Sequence, residues 1–204
     1  MANPPNAFLF DIGKVLIRFD FAPVNPAIQA LSPLPNLDFL TAINEAKIAH
    51  EDGFMDDETF ISKALEVAQF KGSRTDFTRI WQEVFSPNPP MIDTVRTLSR
   101  QGFSLYILSN TSGLHMDYIL RTWDVFDCFD GAIYSYDVKL SKPNPEIYSQ
   151  ATATFGLTPG ETIYIDDRPE NADAGREAGF RTFEYDIDNH GAFVEYLADN
   201  GVVV

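Results

Sequence analysis

Four short apolar runs in this chain each lead into residues that could do chemistry. Ala7–Phe10 runs into Asp11, and Ser104–Leu108 into Ser109. Gly131–Tyr134 leads toward Lys142, and Thr162–Ile165 into Asp166–Asp167. A carboxylate, a hydroxyl, an ammonium and a carboxylate pair form an inventory suited to phosphoryl transfer. Two or more acidic groups hold a hard divalent cation such as magnesium through oxygen. Such a cation, with a lysine, screens phosphate charge, so an anionic aspartate can approach an anionic ester. Taken singly, each residue has a plainer reading. A strand-end aspartate can cap a turn, a serine can satisfy backbone amides, and an acidic pair can be a solvated turn.

These groups converge only if the elements before them bring them together. Continuous apolar runs of strand length suit strands covered on both faces, as in a parallel sheet. Helical patterns lie between them. Pro90–Gly102 carries Ile92, Val95 and Leu98, and Pro145–Gly156 carries Ile147, Tyr148, Ala151 and Phe155. Glu170–Gly179 ends in a glycine that suits a helix C′ position. Alternating strands and helices predict a doubly wound, Rossmann-like α/β domain, with ligands at the carboxyl ends of its strands. Residues 21–86 read differently. Leu37, Leu40 and Ile43, then Ile61, Leu65 and Ala68, then Phe77, Ile80 and Trp81 have helical spacing, and no strand-like run interrupts them. Asp56 or Asp57 is placed to cap the second of these helices. Pro87, Pro89 and Pro90 mark the return to the sheet. The expected organisation is a core of residues 1–20 and 87–204 with a helical insertion at 21–86.

Four segments then carry a resemblance. LFDIGKVL, ILSNTSGLH, KLSKPNPEIY and YIDDRPENADAGREAG resemble, in order and spacing, the four motifs of the haloacid dehalogenase (HAD) superfamily. The helical insertion resembles that family's C1-type cap. The FDIG start and the SNTxxxH segment are most similar to a bacterial subgroup that includes glucose-1-phosphate phosphatase. The resemblance implies a magnesium-dependent phosphatase acting on a small phosphorylated metabolite. It implies Asp11 as the nucleophile that forms an aspartyl-phosphate, and Lys142 as the partner of both nucleophile and phosphate. Ser109 and the backbone amide of Asn110 would hold the phosphate. Asp11, the Gly13 carbonyl and Asp167 would bind the metal, with Asp166 acting through water or behind the direct ligands.

Two positions depart from the family pattern. Gly13 stands where the family usually has a second aspartate, the general acid–base, whose help is typically worth roughly 10²–10⁴-fold. The glucose-1-phosphate subgroup shares that gap, and an anomeric leaving group needs less protonation. Lys14 stands where the family usually has glycine, and a positive φ there would strain a lysine. The gap favours one rival, a phosphate-binding protein with weak turnover; the superfamily resemblance also leaves a carbon–halogen hydrolase open, whereas a phosphomutase would itself need an acid–base at the Gly13 position. Caps in this family carry specificity, so His50, Glu51 and Asp52 are candidate substrate contacts, or else a polar helix end. His115 is either a substrate contact or a satisfied structural histidine. His190 and Lys139 read as surface residues, and Trp81, Phe85 and Trp123 as core.

Composition bounds the rest. The chain has 204 residues, 45% hydrophobic and 13% aromatic, enough for a sizeable core. A net charge of −15 argues against nucleic acid as a partner. The lone cysteine, Cys128, rules out an intrachain disulfide and reads as a small buried hydrophobe. Scattered histidines and no CxxC argue against zinc. The start lacks a signal-peptide pattern, and no segment approaches the roughly 20 apolar residues of a membrane helix. A cytoplasmic protein is expected, with its oligomeric state unspecified.

Overall fold

A computed structural model of the chain describes residues 4–204. Its centre is β1 (Ala7–Phe10), whose four side chains are all buried. Parallel neighbours β4 (Ser104–Ser109) and β6 (Thr162–Asp166) flank it. Beyond them lie β5 (Gly131–Tyr134) and β7 (Arg181–Glu184), giving the order β5-β4-β1-β6-β7. The chain winds outward from β1 through β4 and β5, then continues at β6 on the other side. This is the doubly wound parallel sheet expected from the sequence, with its site at the point where the winding reverses.

Strand alternation explains why β1 has no polar residue. Phe8 and Phe10 join a core on one face with Met91, Val95 and Leu98 of α5 (Pro89–Arg100) and with Phe193 and Leu197 of α10 (His190–Asp199). Leu9 joins the opposite core with Ile147, Tyr148 and Ala151 of α8 (Pro145–Phe155). Full burial of such a side chain contributes roughly 1.5–3 kcal/mol, so a polar residue inside β1 would be costly. Register then places the chemistry. Phe10 pairs with both Ile107 and Ile165, which sets Asp11 level with Asp166 and one step short of Ser109.

Between β2 (Ile17–Phe19) and β3 (Phe85–Pro87) lie α1 (Val24–Ala30), α2 (Phe39–Glu51), α3 (Asp57–Ala68) and α4 (Arg74–Gln82). Phe39, Phe60, Phe77 and Trp81 pack these helices around an aromatic centre of their own. Asp56, not Asp57, is the N-cap of α3, accepting from the Thr59 amide at 2.7 Å. Among the described residues, no helix is long and apolar enough to cross a membrane.

Several elements differ from the sequence reading. β2 and β3 form an antiparallel ribbon at the root of the helical insertion, too short to show a period. The first helix, α1, was hidden by Pro23 and Pro26, which fall at its N-cap and first turn, where proline is tolerated. β7 is a half-exposed edge strand without an apolar run. Two side chains also differ. His190 is not a free surface residue, since its ring bonds to Thr94 Oγ1 at 3.1 Å and to the Tyr185 hydroxyl at 2.9 Å. Cys128 is half-buried at the edge of the core.

Lys14 has φ of 53°, in the left-handed region. Its amide donates to the Ile17 carbonyl at 2.7 Å, so the turn into β2 dictates that conformation. Holding a non-glycine residue there costs about 1 kcal/mol or more. Lys14→Gly is therefore expected to raise the melting temperature by about 2–4 °C for a chain of this size. Calorimetry of the two proteins checks this, and an unchanged or lower value would mean that the lysine side chain offsets the strain.

Candidate active site

Lys142 and the carboxylates around it define the site. Its side chain is 1% exposed, and its Nζ donates to Asp11 Oδ1 at 2.9 Å and Asp166 Oδ2 at 2.6 Å. It reaches them from the segment after α7 (Ser135–Val138), which follows β5. The Asn110 amide group fixes that segment. Its Nδ2 donates to the Lys142 carbonyl at 2.8 Å, and its Oδ1 accepts from the Lys142 amide at 2.9 Å. This clamp on the lysine backbone was not foreseen for Asn110, which the motif marked only as a phosphate contact.

Asp11 Oδ1 also accepts from Ser109 Oγ at 2.8 Å. Oδ2 accepts no hydrogen bond among the described residues, so one oxygen is held while the other is open. Asp166 is wholly buried and saturated. Besides Lys142 it accepts from the Tyr164 hydroxyl, from the Arg168 amide at 2.9 Å and from Asn171 Nδ2 at 3.0 Å. Tyr164 and Asn171 were missed in the sequence, though both lie within the fourth motif. Asn171 stands on α9 (Pro169–Glu177), which turns it back toward Asp166.

Charge is out of balance here. Asp11, Asp166 and Asp167 each bring an oxygen within 4.8 Å of the others, around one buried ammonium. Burial pushes the Asp11 carboxyl up, and the pull of Lys142 does not fully reverse that. Burial, then the charges of Asp11 and Asp166, push Asp167 up to about 6. Burial also acts against ionised Asp166, but Lys142 and its other donors hold that carboxyl below its usual range. The two acids together hold the Lys142 ammonium protonated despite its burial. Oxygen-only donors with excess negative charge fit a hard divalent cation such as magnesium. Lys14 Nζ, half-exposed and 4.0 Å from Asp167, is a distant substitute for that charge.

Above the carboxylates opens a cavity of about 380 Å³ lined by Asp11, Gly13, Ser109, Asn110, Lys142 and Asp167 at its floor. Phe19, Phe21, Phe85, Lys47, Glu51 and His115 form its walls. Of the three adjacent cap candidates only Glu51 lines it, paired with Lys47 at 2.8 Å one helical turn away. Neighbours on a helix point about 100° apart. His50 accordingly turns into the cap, stacked on Phe60 and bonded to Asp57 at 2.6 Å, while Asp52 accepts from Ser141. Phe85, read as core, is a half-buried wall. His115 stands on α6 (Gly113–Thr122), just after the Ser109 strand.

A sequence profile described as haloacid dehalogenase-like hydrolase matches residues 5–179. The chain belongs to that family. It is an enzyme of the hydrolase class, and several of its named relatives are phosphatases. D-ribitol-5-phosphate phosphatase of Bacteroides thetaiotaomicron is 24% identical over 188 residues, covering 86% of this chain and 89% of the relative. A sesquiterpene phosphatase of Aspergillus oryzae is 26% identical over 181 residues, covering 88% and 89%. A solved HAD-family enzyme from Bacteroides thetaiotaomicron has a TM-score of 0.83 and 25% identity, over 94% of this chain and 99% of that one. A variant of it, in complex with magnesium and inorganic phosphate, gives a TM-score of 0.79 at 25% identity, over 90% and 95%.

The raised carboxyls have a sign that can be tested. Without a cation, folded Asp167 keeps a proton up to about pH 6 that the unfolded chain releases near 3.8. Its contribution to stability is therefore lost as pH rises through that window. Asp167→Asn removes the charge. The variant is expected to melt increasingly above the native metal-free protein from pH 4 to 6, with a plateau beyond. It should also lose the magnesium-induced rise in melting temperature that a ligand of the folded state produces. A full magnesium shift in Asp167→Asn would place the cation elsewhere.

Proposed function

We propose that this enzyme is a magnesium-dependent phosphatase that hydrolyses a small phosphate monoester through an aspartyl-phosphate on Asp11. The observation that carries the proposal is Asp11 itself, one oxygen held by Ser109 and Lys142 and the other open toward the cavity. Asp11, Asp167 and the Gly13 carbonyl would hold magnesium, with Asp166 behind them. The cation would offset the charge between nucleophile and ester. Lys142 and Ser109 orient the attacking carboxylate and receive the phosphoryl oxygens. Asp11 forms a bond to phosphorus as the ester oxygen departs. Water then breaks the aspartyl-phosphate, releasing inorganic phosphate and restoring the carboxylate. Carbon–halogen hydrolysis through an aspartyl ester needs no cation, and so leaves the crowded carboxylates without a purpose.

We take residues 1–20 and 87–204 as the catalytic core and 21–86 as a cap that shapes the cavity. Sugar and polyol monophosphates are the substrates to try first. Ribitol 5-phosphate is suggested by the named relative, and glucose 1-phosphate by the FDIG and SNTxxxH segments. Asp11→Asn is expected to lower phosphate release by at least about 10³-fold while leaving the fold intact, because an amide does not replace the carboxylate as nucleophile. Phosphate assays and circular dichroism check this. Substantial retained activity would end the assignment.

Gly13 makes a second expectation. Without a general acid, turnover should fall steeply as the leaving oxygen becomes more basic, from aryl through anomeric to simple alkyl phosphates. A Cβ at Gly13 would stand 3.8 Å from Asp11 Oδ2 and 3.1 Å from the ring of Phe19. Phe19 is 39% exposed and can give way. Gly13→Asp should therefore flatten the dependence on leaving-group pKa, measured where departure of the leaving group limits the rate. A flat native profile would show that another group already supplies the proton.

A further inference from the structure

Lys14 is a strained residue in the wall of the cavity. Three other non-glycine residues, Asn36, Gln69 and Lys139, also have a positive φ. Each of those has a structural reason. Gln69 and Lys139 end α3 and α7 as left-handed C-caps, and asparagine tolerates that region. The turn at Lys14 needs the conformation but not the lysine, since glycine would adopt it at no steric cost. Backbone strain of this kind collects at active sites and ligand clamps.

The same side chain is the least engaged cation at the site. Four cations line the cavity: Lys14, Lys47, Lys142 and Arg168. Lys142 is held by Asp11 and Asp166, Lys47 by Glu51 at 2.8 Å and Arg168 by Glu170 at 2.8 Å. For Lys14 Nζ the nearest described carboxylate oxygen, on Asp167, is 4.0 Å away, and half of the side chain is exposed. Phe19 locates the ammonium. A Cβ on Gly13 would stand 3.1 Å from that ring and 3.8 Å from the open Asp11 Oδ2, and Lys14 Nζ lies 5.6 Å from the ring centroid. The ammonium therefore reaches the side of the cavity where Gly13 leaves no acid.

We propose that Lys14 is a catalytic residue whose ammonium hydrogen-bonds the departing ester oxygen, in place of the acid missing at Gly13. This rests on the phosphatase reading. As Asp11 bonds to phosphorus, the P–O ester bond breaks and its electron pair goes to the ester oxygen. The ammonium stabilises that charge through a charge-assisted hydrogen bond. The proton stays on nitrogen, and the alkoxide takes its own from water as it leaves. Such a bond lessens the dependence on leaving-group basicity without removing it. A lysine that only neutralised Asp167 would act alike on every ester. Glycine at this position would relieve the strain and lose the contact, so stability and activity should move in opposite directions.

Lys14→Gly relieves the strain, Lys14→Met keeps an unbranched chain without the charge, and Lys14→Arg keeps the charge. The measurement is kcat/KM with magnesium for substituted phenyl phosphates of graded phenol pKa and for one simple alkyl phosphate. The native advantage over Lys14→Gly and Lys14→Met is expected to be about threefold on the most acidic phenol. It should grow to about 10- to 100-fold on the most basic leaving group that the native enzyme accepts. Lys14→Arg should restore most of it. Melting without magnesium gives a second reading, in which Lys14→Gly should melt above the native protein while being the slower catalyst. Parallel losses on all esters, no loss, or an arginine variant as slow as the methionine one would each overturn the inference and leave the phosphatase reading intact. So would a Lys14→Gly protein that melts no higher than the native one, because the lysine would then be kept for the fold. No native turnover of any ester would remove both.

Discussion

One buried ammonium organises this molecule. Lys142 lies with almost no solvent contact between Asp11 and Asp166, carboxylates from the ends of two adjacent strands. Removing three charges from water is expensive, and a buried ion pair is weak evidence for stability on its own. The arrangement holds because every part of it is tied down. Asn110 clamps the lysine backbone, Ser109 shares Asp11, and Tyr164, Asn171 and the Arg168 amide complete Asp166. The sheet register, set by the wholly apolar β1, brings these donors to one edge. A one-residue slip would turn every strand side chain to the other face and scatter the site.

Asp167 stands outside that closed set. Asp166 has its lone pairs filled by the protein, whereas Asp167 is half-buried and pushed toward neutrality by its acidic neighbours. The two adjacent carboxylates thus have separate environments. One is a fixed counter-charge to Lys142. The other is left with unmatched charge, which an oxygen-seeking cation would meet. The chemistry proposed for Asp11 depends on that division.

Much of this was legible in the sequence because it follows from short apolar runs. β1, β4 and β6 lie inside the sheet and β5, though an edge strand with Ala132 exposed, is still an apolar run, so their composition marks them, and the reactive residues sit where each run ends or beyond it. β7 carries Arg181 and Glu184 at a sheet edge and has no run to read. The three-residue strands β2 and β3 are too short for any periodicity. On the floor of the site the motifs named Asp11, Ser109 and Lys142, but not the second task of Asn110 or the support from Tyr164 and Asn171. The Asn110 and Asn171 roles depend on a hydrogen bond between distant segments and on the turn of α9, and Tyr164 reaches back along its own strand to Asp166 two residues on. On the walls, position along the chain picked out His50, Glu51 and Asp52 together. Only the helical rotation of about 100° per residue separates Glu51 from its neighbours and brings Lys47 beside it.

The aromatic centre of the helical insertion has a consequence for how such an enzyme changes over generations. Phe39, Phe60, Phe77 and Trp81 stabilise the insertion without contributing a single group to the carboxylate cluster. Leu114, next to His115, reaches into that centre from α6. Substitutions on the cavity side of α2 therefore alter the walls while the folding of the insertion and the reactive floor are maintained by other residues. Mutational drift can explore new substrates in one compartment without gambling the catalyst in the other. The junction at Leu114 and His115 is where the two histories must stay in step.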